Sequence, residues 1–339
     1  MQIPDLDSIP TLIDAVHEER QEQPRPHLGA SMLGHKCDRW LWLSFRWAVV
    51  EKFSGRMLRL FRRGHNEEQQ IISDLRAIGL DVRTPSEGQS RVEFGCHVSG
   101  SLDARIEKGV PGATKTPHVA EFKTHSLKSF NELKAKGVQV AKPMHWAQMQ
   151  VYMLGTGLTR ALYVAVCKDD DRMHTERIEL NKEAAQKLVD RGRRITLSDR
   201  MPEPLSADPT WYECRYCAGH DQCFGSKTTK QVNCRTCAHS SAFSDDTWHC
   251  AKWDDAIPLD AQRIGCESHV LHPDLVPWER KESASEWQAI YIVNGKALAN
   301  GEPGNGVYSS KELLANADAC ADEAIQKLRG EWPGSRVTG

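Results

Sequence analysis

Apolar residues recur along this chain at two distinct periods, and the switches between them mark out its elements. A helical period runs through residues 7–20, where Leu12, Ile13 and Val16 share one face and Pro24 and Pro26 supply a stop. Residues 31–47 predict a second helix. A third is predicted over 57–78, carried by Met57, Leu58, Phe61, Ile71, Ile72, Leu75 and Ile78, with Gly64 as a candidate break and Gly79 as the C-terminal stop. The period then shortens to two, or to a continuous apolar run, and predicts strands over 91–97, 100–107, 119–123, 160–167 and 174–180. Residues 108–117, rich in Gly and Pro, join two acidic strands as a long hairpin. Helical spacing returns over 145–155 and 181–199. Further on, residues 287–294 read as a strand entering an Asn294-Gly295 turn, and 310–329 as a helix. Strands alternating with helices predict an α/β core around a mixed sheet.

Composition narrows the class. At 339 residues, against a prior of about 150 per domain, more than one domain is expected. Hydrophobic residues at 40% and charged residues at 27% are ordinary for a globular chain. No stretch approaches the ~18 apolar residues of a membrane span, and the N-terminal stretch lacks a secretory h-region, so a cytoplasmic protein without membrane attachment is expected. Eleven cysteines in such a chain point to metal binding rather than disulfides. The formal charge of −2 excludes a generally basic nucleic-acid coat. Any phosphate contact must be local, and two clusters offer it: Arg56, Arg59, Arg62 and Arg63, and Lys128, Lys134, Lys136 and Lys142.

The candidate chemistry lies on the acidic strands. In His118-Val-Ala-Glu121-Phe-Lys123, strand alternation puts Glu121 and Lys123 on one face and Phe122 on the other, towards a core. Asp103 is expected on its own strand with Leu102, Ala104 and Ile106 opposite. Two carboxylates and a lysine on adjacent strands suit metal-dependent phosphodiester hydrolysis: hard oxygens hold Mg²⁺ or Mn²⁺, and the ammonium orients a water or stabilises phosphate charge. Upstream, His65 and Glu68 are three apart on a helix; downstream, Gln148 and Tyr152 are four apart on another.

These four pieces, in this order, resemble the RecB-like branch of the PD-(D/E)xK nuclease superfamily over roughly residues 28–225. The resemblance implies a restriction-endonuclease-like core in which His65, Glu68 or both, with Asp103, Glu121 and the Phe122 carbonyl, hold the metals. It gives Lys123 the water or scissile phosphate, and Gln148 and Tyr152 the positioning of the strand or the lysine. Cys37, followed far downstream by Cys214-x2-Cys217-x5-Cys223, is similar to the iron–sulfur staple of AddAB-type and CRISPR-associated nucleases, which implies a [4Fe–4S] cluster closing a domain over 1–225. Spacing alone leaves zinc open there, with His220 or Cys37 completing the site.

Beyond a boundary at 225–230, Cys234-x2-Cys237-x12-Cys250-x15-Cys266 reads as a tetrahedral Zn²⁺ site, with His239 or His249 as possible substitutes for a cysteine. This segment, 231–278, is expected to take its folding energy from the metal, and 279–339 forms a small α+β extension. Cys96, Cys167 and Cys320, without partners at ligand spacing, are expected to be buried apolar residues.

The resemblance thus implies a metal-dependent DNA exonuclease of recombination or end processing, by analogy encoded by a phage or mobile element, with a recombinase or annealing protein as a candidate partner. The alternatives are a non-cleaving nucleic-acid-binding module, and an endonuclease or flap nuclease.

Overall fold

The computed structural model describes residues 8–87, 91–225, 228–282, 285–332 and 334–338. Residue 7, where the first helix was expected to begin, and residues 226 and 227 of the expected linker lie outside them. The chain forms two compact units, Met1–His35 with Glu51–Arg193, and Lys36–Val50 with Arg194–Gly339.

The first unit is built on a five-stranded sheet ordered Asp81–Arg83, Ala104–Lys108, His118–His125, Arg160–Cys167, Met173–Glu179. All its pairings are antiparallel except that of His118–His125 with Arg160–Cys167, which is parallel. A parallel pair needs a long crossover, and the helices Leu127–Ala141 and Pro143–Thr156 provide it. Alternation then sorts the central strands. Ala120, Phe122, Leu162, Val164 and Val166 join Ile71, Ile72 and Leu75 of the Gly55–Ala77 helix in one buried core, while Glu121, Lys123 and Tyr163 carry the opposite parity.

The Gly55–Ala77 helix runs unbroken through Gly64. Glycine costs a helix about 1 kcal/mol relative to alanine. Burial of Ile71, Ile72 and Leu75, each worth about 1.5–3 kcal/mol, outweighs that cost. Ser54 caps its start by accepting from the Met57 N–H at 3.4 Å, and Gly79, at φ +90°, turns the chain away after its end.

Two expectations fail here for local reasons. The helix expected over 31–47 is confined to Asp38–Phe45, preceded by a single 3₁₀ turn at Ala30–Met32. Between them Gly34 lies so close to the Pro143–Thr156 helix that a Cβ would stand 2.8 Å from the Ala147 Cβ. The strand expected over 100–107 is two strands: Val98–Ser101 belongs to a separate three-stranded sheet with Leu28–Gly29 and Arg91–Gly95, and only Ala104–Lys108 enters the main sheet. Asp103 therefore sits not on a strand but at the bend where the chain steps from one sheet to the other.

In the second unit, the helix Asp38–Phe45 buries Trp40, Leu41, Trp42, Leu43 and Phe45. Two arginines are buried with the aromatics. The Arg46 guanidinium stands 4.9 Å from the Trp42 ring and pairs with Asp199 at 3.0 Å; that of Arg235 lies 3.7 Å over Trp47 and donates to Gln262 and the Phe45 carbonyl. A small antiparallel sheet, Ser240–Ala242, Trp248–Cys250 and Asp255–Ala256, precedes a four-stranded one whose hairpin Ala289–Val293/Lys296–Asn300 turns at Asn294-Gly295, both at positive φ. The helix expected over 310–329 is two, Ser310–Ala321 and Glu323–Glu331, because Asp322 is extended and caps the second. The cysteine-rich segment does not depend on a metal alone for its packing: Val270 and Leu271 join Tyr291, Leu298 and Leu313 in the core of this unit.

Candidate active site

Strand register sets the centre of the site. Glu121 and Lys123, two apart on His118–His125, lie on the same face, and Asp103 reaches them from its bend by accepting the Phe122 N–H at 2.9 Å. Lys123 Nζ contacts Glu121 Oε1 and lies 3.7 Å from Asp103 Oδ2. Glu121 is fully buried, Asp103 17% and Lys123 26% exposed at the side chain, so the group opens to solvent on the side of the latter two.

The Pro143–Thr156 helix closes the other side. Gln148 Nε2 donates to Glu121 Oε2 at 3.0 Å and is 3.5 Å from the Tyr152 hydroxyl. Tyr152 fits because residue 100 is glycine: a Cβ there would be 2.8 Å from the tyrosine ring and 2.7 Å from the Ala30 Cβ. Glu68, half-buried on the Gly55–Ala77 helix, is close enough for Asp103 and Lys123 to act on its charge. His65, one turn earlier, is exposed and acts on Glu68.

Electrostatics define what the site can bind. Burial lifts the Glu121 carboxyl to about 8; Lys123 opposes this, and Asp103 and Glu68 add to it. Burial also raises Glu68, reinforced by Asp103. Burial alone would lower the Lys123 ammonium, but Glu121 and Asp103 outweigh it and hold it protonated. Glu121 Oε1 is buried with no well-directed hydrogen bond. Two carboxyls raised by burial, Glu121 and Glu68, grouped with Asp103, form a hard-oxygen donor set that fits a divalent cation. Among the described residues, no three His, Cys, Asp or Glu side chains converge into an arrangement that could hold a metal ion as they stand.

Both cysteine sets are gathered without being converged. Cys37, at the N-cap of its helix, acts on Cys214 and Cys223, and Cys217 acts on Cys223. Burial raises both Cys214 and Cys223, while the Arg39 guanidinium favours the Cys223 thiolate. Cys234, Cys237, Cys250 and Cys266 line one small cavity together with His239 and Lys252. Burial pushes the Cys234 thiol up to about 12 and Cys237 to about 11, with the other thiols of the set adding to both. The donor chemistry of each set, all thiol, fits a soft or borderline metal.

The basic clusters are partly committed elsewhere. Arg59 pairs with Asp14 at 2.8 Å, Arg63 donates to the Lys168 carbonyl, and Lys136 pairs with Glu132 at 2.9 Å. Cys167 and Cys320 are buried as expected, but Cys96 is half-buried at φ +53°, in the turn between Arg91–Gly95 and Val98–Ser101.

Three residues beside the centre escaped sequence reasoning. Tyr163, in register with Glu121 on the neighbouring strand, has its hydroxyl 2.8 Å from both His125 Nε2 and His145 Nδ1. Only the placement of His145, three residues before Gln148 on the same helical face, could have signalled them.

A buried glutamate and a lysine on the central strand of a mixed sheet, joined by an aspartate from the adjoining bend and flanked by a glutamine–tyrosine helix, is the architecture of a carboxylate–lysine nuclease fold. The chain belongs to the PD-(D/E)XK nuclease superfamily, whose family model matches residues 4–224. No curated protein sequence matches it. Among solved structures it is similar, at 16% identity, to SSO0001, with 62% of this chain and 93% of that one covered and a TM-score of 0.41. The alkaline exonuclease LHK-Exo from Laribacter hongkongensis matches at 16% identity over 55% of this chain and 90% of that one, TM-score 0.34. A phage related exonuclease from Haemophilus somnus 129PT matches at 16% over 40% and 70%, TM-score 0.30. Among the described residues no helix is long and apolar enough to cross a membrane.

Proposed function

We propose that this protein is a Mg²⁺- or Mn²⁺-dependent deoxyribonuclease that hydrolyses phosphodiester bonds from DNA ends. The observation that carries the reading is the fully buried Glu121 carboxylate, ion-paired with Lys123 and grouped with Asp103 and Glu68. Asp103, Glu121 and the Phe122 carbonyl, with Glu68 or His65, would hold the cation, which when bound supplies Lewis acidity and a more acidic water. Lys123, kept protonated by its carboxylates, orients the attacking water and stabilises charge on the phosphate. Gln148 fixes the Glu121 carboxylate, and Tyr152 braces Gln148.

The four thiols Cys37, Cys214, Cys217 and Cys223 would carry a [4Fe–4S] cluster, as in the iron–sulfur branch of RecB-like nucleases, and Cys234, Cys237, Cys250 and Cys266 a structural Zn²⁺. A role in cytoplasmic recombination or end processing, beside a recombinase or annealing protein, follows from the exonuclease reading.

End-labelled single- and double-stranded DNA, incubated with Mg²⁺, Mn²⁺ or EDTA, tests the centre. Wild type is expected to cut only with metal, and Lys123→Ala to lose at least about 10²–10³-fold in kcat at unchanged fold. Metal-dependent cutting that survives in Lys123→Ala would refute the assignment. Cutting of covalently closed circles would replace the exonuclease reading with an endonuclease.

A further inference from the structure

We propose that His145 is a phosphate-positioning residue: a hydrogen-bond donor to a backbone phosphate of the nucleic-acid strand, oriented through Tyr163, His125 and Ser129. The inference deepens the nuclease reading and rests on it for the identity of the ligand.

The four side chains form one hydrogen-bonded line. Ser129 Oγ lies 3.1 Å from His125 Nδ1, His125 Nε2 2.8 Å from the Tyr163 hydroxyl, and that hydroxyl 2.8 Å from His145 Nδ1. The His145 and Tyr163 rings are stacked with centroids 5.8 Å apart, which fixes the plane of the imidazole. Tyr163 is fully buried and His125 nearly so, but His145 is only half-buried, so the line runs from the interior to solvent.

Its outer end lies beside the reactive group. His145 precedes Gln148 by three residues and Tyr152 by seven on one helix, so all three project from the same face. Tyr163 is the cross-strand partner of Glu121, and Lys123 lies close enough to act on His145. Among the described residues, His145 Nε2 has no hydrogen-bond partner, and it is the only ring nitrogen of the line not already engaged.

Counting protons assigns the direction. A tyrosine hydroxyl has one proton, so it can donate to at most one of the two imidazoles in contact with it, and the other can only donate to its oxygen. A phosphate oxygen only accepts, so a phosphate at the outer edge requires Nε2–H on His145. That makes Nδ1 the acceptor of the tyrosine proton, makes His125 Nε2–H the donor to the tyrosine oxygen, and makes the Ser129 hydroxyl the donor to His125 Nδ1. Every member is satisfied in this direction. Burial, then Lys123, His125 and Lys142, keep His145 neutral at physiological pH, so it offers a directed proton without a net charge.

Neutrality gives the proposal its test. Binding of a fluorescein-labelled single-stranded oligonucleotide is measured in EDTA, where nothing is cut, as a function of salt, for wild type, His145→Ala, His145→Gln, Tyr163→Phe and Lys142→Ala. A lost hydrogen bond to a charged oxygen is expected to weaken binding roughly 10- to 100-fold in His145→Ala. The slope of log K against log salt should stay unchanged, because no charge is removed, whereas Lys142→Ala should flatten it if that ammonium contacts phosphate. His145→Gln, which retains an N–H donor, should recover most of the loss, and Tyr163→Phe should cost a few-fold. Imidazole ¹⁵N NMR of the folded wild type should show the proton of His145 on Nε2.

Wild-type affinity in a folded His145→Ala, or a protonated Nδ1 with bare Nε2, would overturn the assignment. Should His145→Ala fail to fold, the NMR tautomer and the His145→Gln affinity decide. Intact His145-dependent binding in a wild type that never cuts would remove the nuclease reading and leave the phosphate contact standing; normal cutting with His145-independent binding would do the reverse.

Discussion

Reactive side chains gather in two ways in this protein, on a sheet in one unit and on loops in the other. Glu121 and Lys123 stand where strand pairing puts them, and Asp103 is tied to the same strand through the Phe122 N–H. The backbone ladder therefore holds this cluster together even though its carboxylates repel one another. The two four-thiol sets of the second unit come from a helix cap, short helical turns and small hairpins, and within each set they are neighbours without converging. A sheet can hold unfavourable charges at fixed spacing before any ligand arrives. Loops hold their donors only approximately, so a bound metal there would also be a structural tie.

The comparison is most exposed to removal of metal from the second unit. Structural zinc contributes on the order of 10 kcal/mol in small sites. Chelation or Cys234→Ser should therefore abolish the cooperative unfolding transition of the second unit or lower it by more than about 10 °C in calorimetry, and Cys37→Ala should lower it by somewhat less. A midpoint unmoved by both would mean that the thiols are ordinary packing.

Acid–base behaviour sharpens the other side. Glu121, lifted by burial to about 8 against 4.5 when unfolded, takes up a proton in the metal-free native state more readily than in the unfolded chain. Stability of the metal-free protein should be greatest below about pH 4.5 as far as this group is concerned, and decline as pH rises through 8, by an amount on the order of a few kcal/mol. Glu121→Gln should flatten that decline in denaturant titrations at several pH values. An unchanged slope would show that Glu121 is ionised throughout. Smaller still is the expected effect of Gly100→Ala. Its methyl would meet Ala30 and the Tyr152 ring, costing about 1–3 kcal/mol by overpacking and lowering kcat several-fold as Tyr152 moves from Gln148. Wild-type kcat in this variant would free Tyr152 of a positioning role.

Much of the first unit was legible because its signals are local. The apolar run 160–167 is a strand over the residues expected, and 143–156 and 118–125 extend the expected elements by only a few residues at each end. Alternation in 119–123 sufficed to pair Glu121 with Lys123. The misses came where tertiary contact overrode local pattern. Gly34 packs against Ala147, so the helix expected from residue 31 begins only at Asp38; Asp103 lies in a step between two sheets that a continuous polar–apolar alternation conceals. The His125–Tyr163–His145 line joins positions up to 38 residues apart, which no window of periodicity spans. Arg46 and Arg235, charged residues in sequence, proved to be stacked interior groups whose neighbours only the fold supplies.

The parallel pairing of His118–His125 with Arg160–Cys167 also governs how the chain is made. Its other edge, against Ala104–Lys108, closes through the local hairpin over 109–117, but this edge must wait for two helices to be synthesised and docked. Until then a largely apolar strand presents an unpaired edge, the usual template for association between nascent chains. Glu121 and Lys123 interrupt that strand with charge on one face, so the residues proposed for the reaction also break the apolar stretch with charge, the pattern of a gatekeeper against aggregation, while the sheet is incomplete.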